Sequence, residues 1–137
     1  MNRPALHLLL FAAGLAAAAV TSEDTAAHKA RMDDAQDLKA DLKDALDAKA
    51  AAKAAEPAQK LVKLCRDEEG YWVKAKLPDA VKLARQNVAE AGQIASAATQ
   101  GHLAEALAAF DKLEATCRTC HDLHPERRLT QTSQPKE

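Results

Sequence analysis

The sequence is poor in the residues that build β-sheets and turns. Only 3% of its 137 residues are aromatic, and it contains four glycines and five prolines. Strands favour β-branched and aromatic runs, and no such run occurs here. So few glycines and prolines, which interrupt helices and strands, predict long secondary-structure elements joined by few turns. The length fits a single domain.

The sequence also has almost no net charge and few cysteines. Nineteen basic and 20 acidic residues give a net charge of −1, so the basic surface typical of nucleic-acid-binding proteins is absent. Three cysteines are an odd number, which argues against a scaffold made only of internal disulfides. No nucleic-acid partner is expected.

Alanine is plentiful instead, and it favours helix more than any other residue. Alanine-rich helix faces bury little apolar area per residue. A core of this size therefore needs a further source of buried apolar area. We therefore expect an all-α fold in which something other than aromatic side chains fills the interior.

The N-terminus has the pattern of an export signal. One basic residue, Arg3, precedes 13 apolar residues at 8–20, too short a run for a membrane span. Small residues at 17–19 fit a cleavage site. We predict a signal peptide over 1–19, a periplasmic location and no membrane span after cleavage. A retained N-terminal anchor is the alternative.

Apolar residues then recur every three or four positions, which indicates helices. The pattern predicts four of them, at about 21–54, 56–70, 78–98 and 103–124. Gly70 is expected to stop the second helix, with residues 71–77 as a connection. Short joins favour an antiparallel up-down-up-down bundle over 20–125, followed by a flexible polar tail at 126–137. Acidic runs such as Glu68-Glu69 are interpreted as a solvated face.

The motif that carries chemistry is Cys117-Arg118-Thr119-Cys120-His121, the CxxCH signature of covalent c-type haem attachment. Thiols at i and i+3 of a helix project from one face, so they can bond two vinyl groups of a porphyrin. The imidazole of His121 can then reach the iron. A haem between helices would also supply the missing core. The alternatives are a redox dithiol or a zinc site.

These features resemble the class II c-type cytochromes, the cytochrome c′ family. The resemblance covers about residues 22–128 and rests on the export signal, the four helices and Cys117, Cys120 and His121. Asp122 matches the family's frequent CxxCHD. Where the family commonly has an aromatic and then a basic residue, this chain has His124 and Pro125, with arginines following at 127 and 128. The resemblance implies a first-helix residue facing the iron's other side.

The resemblance also implies two kinds of function. Members with methionine on the first helix are low-spin electron carriers, and members with an apolar residue there bind small gases. Met32 lies on the apolar stripe of the first helix, and we predict it as the distal iron ligand. Core packing is the alternative role for Met32. His28, one turn earlier, is either a second candidate ligand or a solvated residue.

The sequence therefore predicts one covalent haem c held by Cys117, Cys120, His121 and Met32. The expected function is non-enzymatic single-electron transfer between periplasmic redox proteins. Gas binding at an open distal site is the alternative, and a haem-free dithiol or metal-binding protein is the third hypothesis. A homodimer is implied by the resemblance. Cys65 is interpreted as a small buried hydrophobe, with an intermolecular disulfide as the alternative.

Overall fold

The computed structural model describes residues 18–125 of the chain. These residues form four helices and no strand: α1 (Ser22–Asp47), α2 (Ala51–Ala75), α3 (Pro78–Thr99) and α4 (Leu103–Leu123). The prediction of an all-helical chain with four helices is confirmed. Most of the predicted signal peptide at 1–19, and all of the predicted tail at 126–137, lie outside the described residues and stay predictions.

α1 begins with a reciprocal cap. The hydroxyl of Thr21 accepts a hydrogen bond from the backbone N–H of Asp24 at 3.1 Å, and the Asp24 carboxylate accepts one from the Thr21 N–H at 2.7 Å. These bonds satisfy two donors that the first turn of a helix leaves unpaired. On the solvent side, Lys29 pairs with Asp33 one turn later at 2.7 Å.

The first two helices are divided differently from the prediction. α1 ends at Asp47, and residues 48–50 form a turn in which Lys49 takes a φ of +55°. Pro57 therefore lies inside α2, where it was expected to start the helix. An interior proline forfeits a backbone hydrogen bond at a cost of about 3 kcal/mol. Ala54 and Ala58, both fully buried beside it, pack this part of α2 into the core.

α2 also continues through Gly70, so the predicted stop there and the predicted connection at 71–77 were wrong. Tyr71 and Trp72 are helical and only 5% and 3% exposed. Glycine inside a helix costs about 1 kcal/mol, and burying one large apolar side chain contributes about 1.5–3 kcal/mol, so burial prevails. The helix ends at Lys76, whose left-handed φ of +57° turns the chain toward α3.

Consecutive helices lie side by side. Ion pairs at 2.6–2.7 Å join neighbours, with Asp24 to Lys74 across α1 and α2, Glu69 to Arg85 across α2 and α3, and Lys39 to Glu114 across α1 and α4. In the first pair an early residue of α1 meets a late residue of α2. In the second pair a late residue of α2 meets an early residue of α3.

The packing between helices is uneven. α2 and α3 share the most extensive contact, α1 rests mainly on α2, and α1 meets α4 only sparsely. The main core contains the fully buried side chains Leu42, Leu46, Leu61, Ile94 and Leu113. A second cluster surrounds Tyr71 and Trp72. Over residues 18–125, no helix has both the length and the apolar character that a membrane crossing requires.

Candidate functional site

The sparse contact between α1 and α4 coincides with a cavity that all four helices line. It encloses about 820 Å³, counting the part open to solvent. The walls include the apolar side chains Ala35, Leu61, Leu64, Ala84 and Leu113. The lining of the cavity is therefore mainly apolar.

The CxxCH residues form the α4 wall of this cavity. Cys117, Cys120 and His121 all line it, as the spacing i, i+3 and i+4 on one helix predicts. All three are partly buried. They lie at the C-terminal end of α4, which Leu123 closes just before Pro125.

The two thiols of the motif are held in a protonated form. Burial raises the pKa of Cys120 to about 11, and the nearby Cys117 thiol adds to the effect. Burial likewise raises the pKa of Cys117. Reactive dithiols require a lowered pKa, usually at a helix N-terminus. This arrangement, at a helix C-terminus, argues against the redox-dithiol interpretation.

Met32 lies on the α1 side of the same cavity. The structure thus brings together all four residues predicted from the sequence, three from α4 and one from α1. Met32 is partly buried, one helical turn after His28. The thioether of Met32 is a soft donor that suits haem iron opposite an imidazole.

His28 lines the cavity as well, and the expectation of a solvated residue at this position was wrong. It is 5% exposed, and its Nδ1 is hydrogen-bonded to the carboxylate of Glu68 on α2. The other oxygen of Glu68 accepts a hydrogen bond from Nε of Arg31 at 2.9 Å. Glu68 is 6% exposed, so its assignment to a solvated face was also wrong. A buried carboxylate needs such partners to offset its lost hydration.

Aromatic side chains close this end of the cavity. His28 stacks on Tyr71 with centroids 4.5 Å apart, and the ring of Trp72 meets both edge-on. His124 lies 5.4 Å from Trp72, and its Nε2 is 3.1 Å from the carboxylate of Asp79. Of these rings, His28, Trp72 and His124 reach the cavity lining. These rings form one wall of the cavity with flat surfaces.

Sequence reasoning missed most of this second wall. Glu68 and Trp72 follow Leu61 and Leu64 at steps of three or four, which is the spacing of one helix face. The polar Glu68 interrupted the apolar pattern, and Gly70 suggested an end. Continuing the spacing of three or four residues past Glu68 and Gly70 would have identified this helix face.

Cys65 provides a third thiol beside the motif. It is 7% exposed and lines the cavity. Burial raises its pKa to about 12, and the charges of nearby groups add to the shift. The thiol therefore packs as a small hydrophobe in this fold, which agrees with the interpretation of Cys65 as core.

The lining also includes the polar side chains Gln36, Lys39 and Asn87. Lys39 pairs with Glu114 at 2.7 Å. A haem has an apolar ring and two acidic propionates, and this cavity offers apolar walls together with polar lining residues. Two thiols at this spacing can attach a c-type haem, and an imidazole and a thioether can bind its iron. The residues present fit the group.

Comparisons with known proteins leave the site to be interpreted on its own geometry. The chain matches no protein-family model, no curated protein and no solved structure. Within residues 18–125, no three His, Cys, Asp or Glu side chains are placed to share a metal ion.

Proposed function

We propose that this protein is an exported monohaem c-type cytochrome that carries single electrons between redox partners. One observation supports the proposal above the others. Cys117, Cys120 and His121 on α4 line the same apolar cavity as Met32 on α1, although 85 residues separate Met32 from Cys117 in the sequence. The lining of this cavity is mainly apolar, which suits the ring of a haem.

Each residue has a distinct part in this proposal. Cys117 and Cys120 bind the porphyrin edge through thioether bonds, which prevent the cofactor from dissociating. His121 is the proximal ligand and Met32 the distal ligand. When bound, the haem supplies an iron centre that gains and loses one electron, with a potential set by its axial ligands and surroundings. Leu61, Ala84 and Leu113 keep water from the ring.

The proposal includes an antiparallel up-down-up-down arrangement of the four helices, and two features of the fold support it. Connections of two or three residues join the helices, and the ion pairs bring the start of one helix to the end of the next. Short joins of this kind favour antiparallel neighbours. The bundle leaves a gap between α1 and α4, where the ring would lie.

The cellular part of the proposal rests on sequence. The apolar run at 8–20 and the small residues at 17–19 favour secretion into the periplasm. Covalent attachment retains the cofactor in that open compartment. The partners are then periplasmic redox proteins, and the proposal includes a homodimer as a second assembly state. No catalysis is proposed.

The test is expression with the native signal in a host that matures c-type haem. We expect haem that stays with the protein after acid–organic extraction. We also expect a low-spin oxidised spectrum with a sulfur-to-iron charge-transfer band, unchanged by carbon monoxide. Replacing Cys117 or Cys120 by alanine should leave haem extractable or absent. Cys65→Ala is the matched control, because it removes a cavity thiol outside the motif and should retain covalent haem.

Two other results would overturn parts of the proposal. A high-spin spectrum that shifts with carbon monoxide would assign the protein to gas binding and leave Met32 as core. If the correctly exported wild-type chain carries no haem, the proposal of a cytochrome is rejected altogether.

A further inference from the structure

Glu90 on α3 is a buried acid without a cationic partner among residues 18–125. It is 6% exposed. Its Oε1 accepts hydrogen bonds from Nε2 of Gln86 at 2.9 Å and from the hydroxyl of Thr116 at 3.2 Å. Its Oε2 is buried with no hydrogen-bond donor within reach in the described part of the chain. The hydroxyl of Thr116 is shared with the backbone carbonyl of Lys112 at 3.1 Å, so only neutral donors, one of them shared, stabilise this carboxyl group.

This position lies directly behind the attachment wall of the cavity. Thr116, the donor to Glu90, immediately precedes Cys117 on α4. Asn87, one turn before Glu90 on α3, lines the cavity, and its side-chain oxygen lies 3.9 Å from the sulfur of Cys117. Glu90 thus stands one layer outside the ring that the cavity would hold.

Glu90 lies close enough to the cavity for a charge there to act on its thiols. Burial is the main cause of the raised pKa of Cys117, Lys39 opposes it, and the charges of Glu114 and Glu90 add to it. Lys39 and Glu114 form an ion pair, so much of their effect cancels. The charge of Glu90 contributes to the raised pKa of Cys65 as well.

Glu90 differs from the other buried glutamate, Glu68, in having no charged partner among the described residues. Glu68 is equally buried, but it is bound to Arg31 and His28, which compensate its charge. Among residues 18–125, no Lys, Arg or His nitrogen lies within 4.0 Å of the Glu90 carboxyl group. In a medium of low polarity, an uncompensated charge acts over a longer distance than at the surface.

We propose that Glu90 is a positioning charge that lowers the reduction potential of the cofactor in this cavity. The inference rests on the proposed cytochrome function. Oxidation adds one positive charge to the iron centre, and a fixed negative charge stabilises the oxidised form more than the reduced form. Buried charge near the ring is an established means by which a protein adjusts such a potential.

The experiment is a spectroelectrochemical titration of Glu90→Gln in the haem-loaded protein. Glutamine keeps an oxygen for the bonds from Gln86 and Thr116, removes the charge and places a neutral amide nitrogen where Oε2 was. We expect a higher midpoint potential, measured as a ferrous-to-ferric ratio at least about threefold larger at a fixed applied potential. A tenfold change in this ratio corresponds to about 59 mV for one electron.

Two further variants serve as controls. Glu105→Gln removes the same formal charge from an exposed position at the other end of α4, and solvent should screen its effect to a much smaller shift. Glu90→Asp keeps the charge and should keep a potential close to that of the wild type. An unchanged low-spin spectrum in each variant shows that the iron ligands are intact.

A second readout is independent of the haem. In protein produced without its signal, and therefore without cofactor, circular dichroism first checks that the helices form, and the pH dependence of Cys117 alkylation by iodoacetamide then reports the pKa of that thiol. Glu90→Gln should lower the pKa, and Glu105→Gln should not. If haem does not attach but Glu90→Gln still lowers the pKa of Cys117, the cytochrome function is rejected. The electrostatic effect of Glu90 on the cavity is then retained. Equal potentials in Glu90→Gln and wild-type protein would reject the tuning role.

Discussion

The carboxylate of Glu68 on α2 is hydrogen-bonded to the imidazole of His28 on α1, and both side chains are more than nine-tenths buried. The same carboxylate holds Arg31, one turn further along α1. One acidic side chain therefore fixes two positions of the helix that carries Met32. This cluster ties the wall of the cavity to the stability of the fold.

Removal of that acid should destabilise the protein strongly. Glu68→Ala leaves Arg31 without its counter-ion and His28 without its partner, and breaking a buried pair in this way costs about 3 kcal/mol or more. The measurement is urea unfolding followed by circular dichroism. Asp67→Ala, at the neighbouring position, removes only an exposed pair with Lys63 and should cost less than about 1 kcal/mol. Similar losses in both variants would contradict the importance of the cluster.

Met32→Ala should convert the oxidised protein from low-spin to high-spin and allow carbon monoxide to bind. The change removes the only methionine among the cavity residues, so the iron of the proposed haem would lose its sulfur ligand. Absorption and electron paramagnetic resonance spectra report both effects. Leu38→Ala, which truncates another partly buried residue of α1 outside this cavity, should leave the spectra unchanged. A low-spin Met32→Ala protein would assign the distal position to another residue.

The stability contributed by the N-terminal cap of α1 should be lost in acid solution. Lys74 and Thr21 lower the pKa of Asp24 to about 2 from 3.8, so the folded state binds a proton less readily than the unfolded chain. The contribution is present above pH 3.8 and is lost as the pH falls toward 2. Asp24→Asn should therefore lower the urea midpoint more at pH 6 than at pH 2. Asp33→Asn, an exposed acid of the same helix, should show a smaller pH dependence.

Cys65 should make the stability fall in alkaline solution. Its pKa of about 12 in the folded state exceeds the ordinary value of 9.0, so above pH 9 the unfolded chain loses a proton that the folded chain retains. The stabilisation lost between pH 9 and 12 amounts to about 4 kcal/mol at most. Urea unfolding at pH 8, 9.5 and 10.5 should show a steeper decline in the wild type than in Cys65→Ala. Parallel declines would contradict the buried thiol.

The α4 half of the site could be predicted from sequence because it is local. Cys117, Cys120 and His121 lie within five residues of one helix, and their spacing alone brings them to one face. Met32 could be proposed as their counterpart because it is the only methionine after the predicted signal and lies on an apolar stripe. The structure places all four at one cavity.

The α2 wall could not be predicted in the same way, because its stability comes from contacts between helices. Gly70 has a low helix propensity, and only the burial of Tyr71 and Trp72 against other helices outweighs it. Glu68 looks like a surface acid until its partners on α1 are known. His28 was misassigned for the same reason, since its partner lies 40 residues away.

The uneven packing also bears on the motions of the molecule. α1 makes the fewest contacts with the rest of the bundle, resting on α2 and barely touching α4, whereas α2 and α3 are closely packed. Local opening takes place most readily where tertiary contacts are few. Backbone amides near Met32 should thus exchange with deuterium sooner than those of α3. We therefore expect access to the Met32 side of the cavity to depend on local opening of α1.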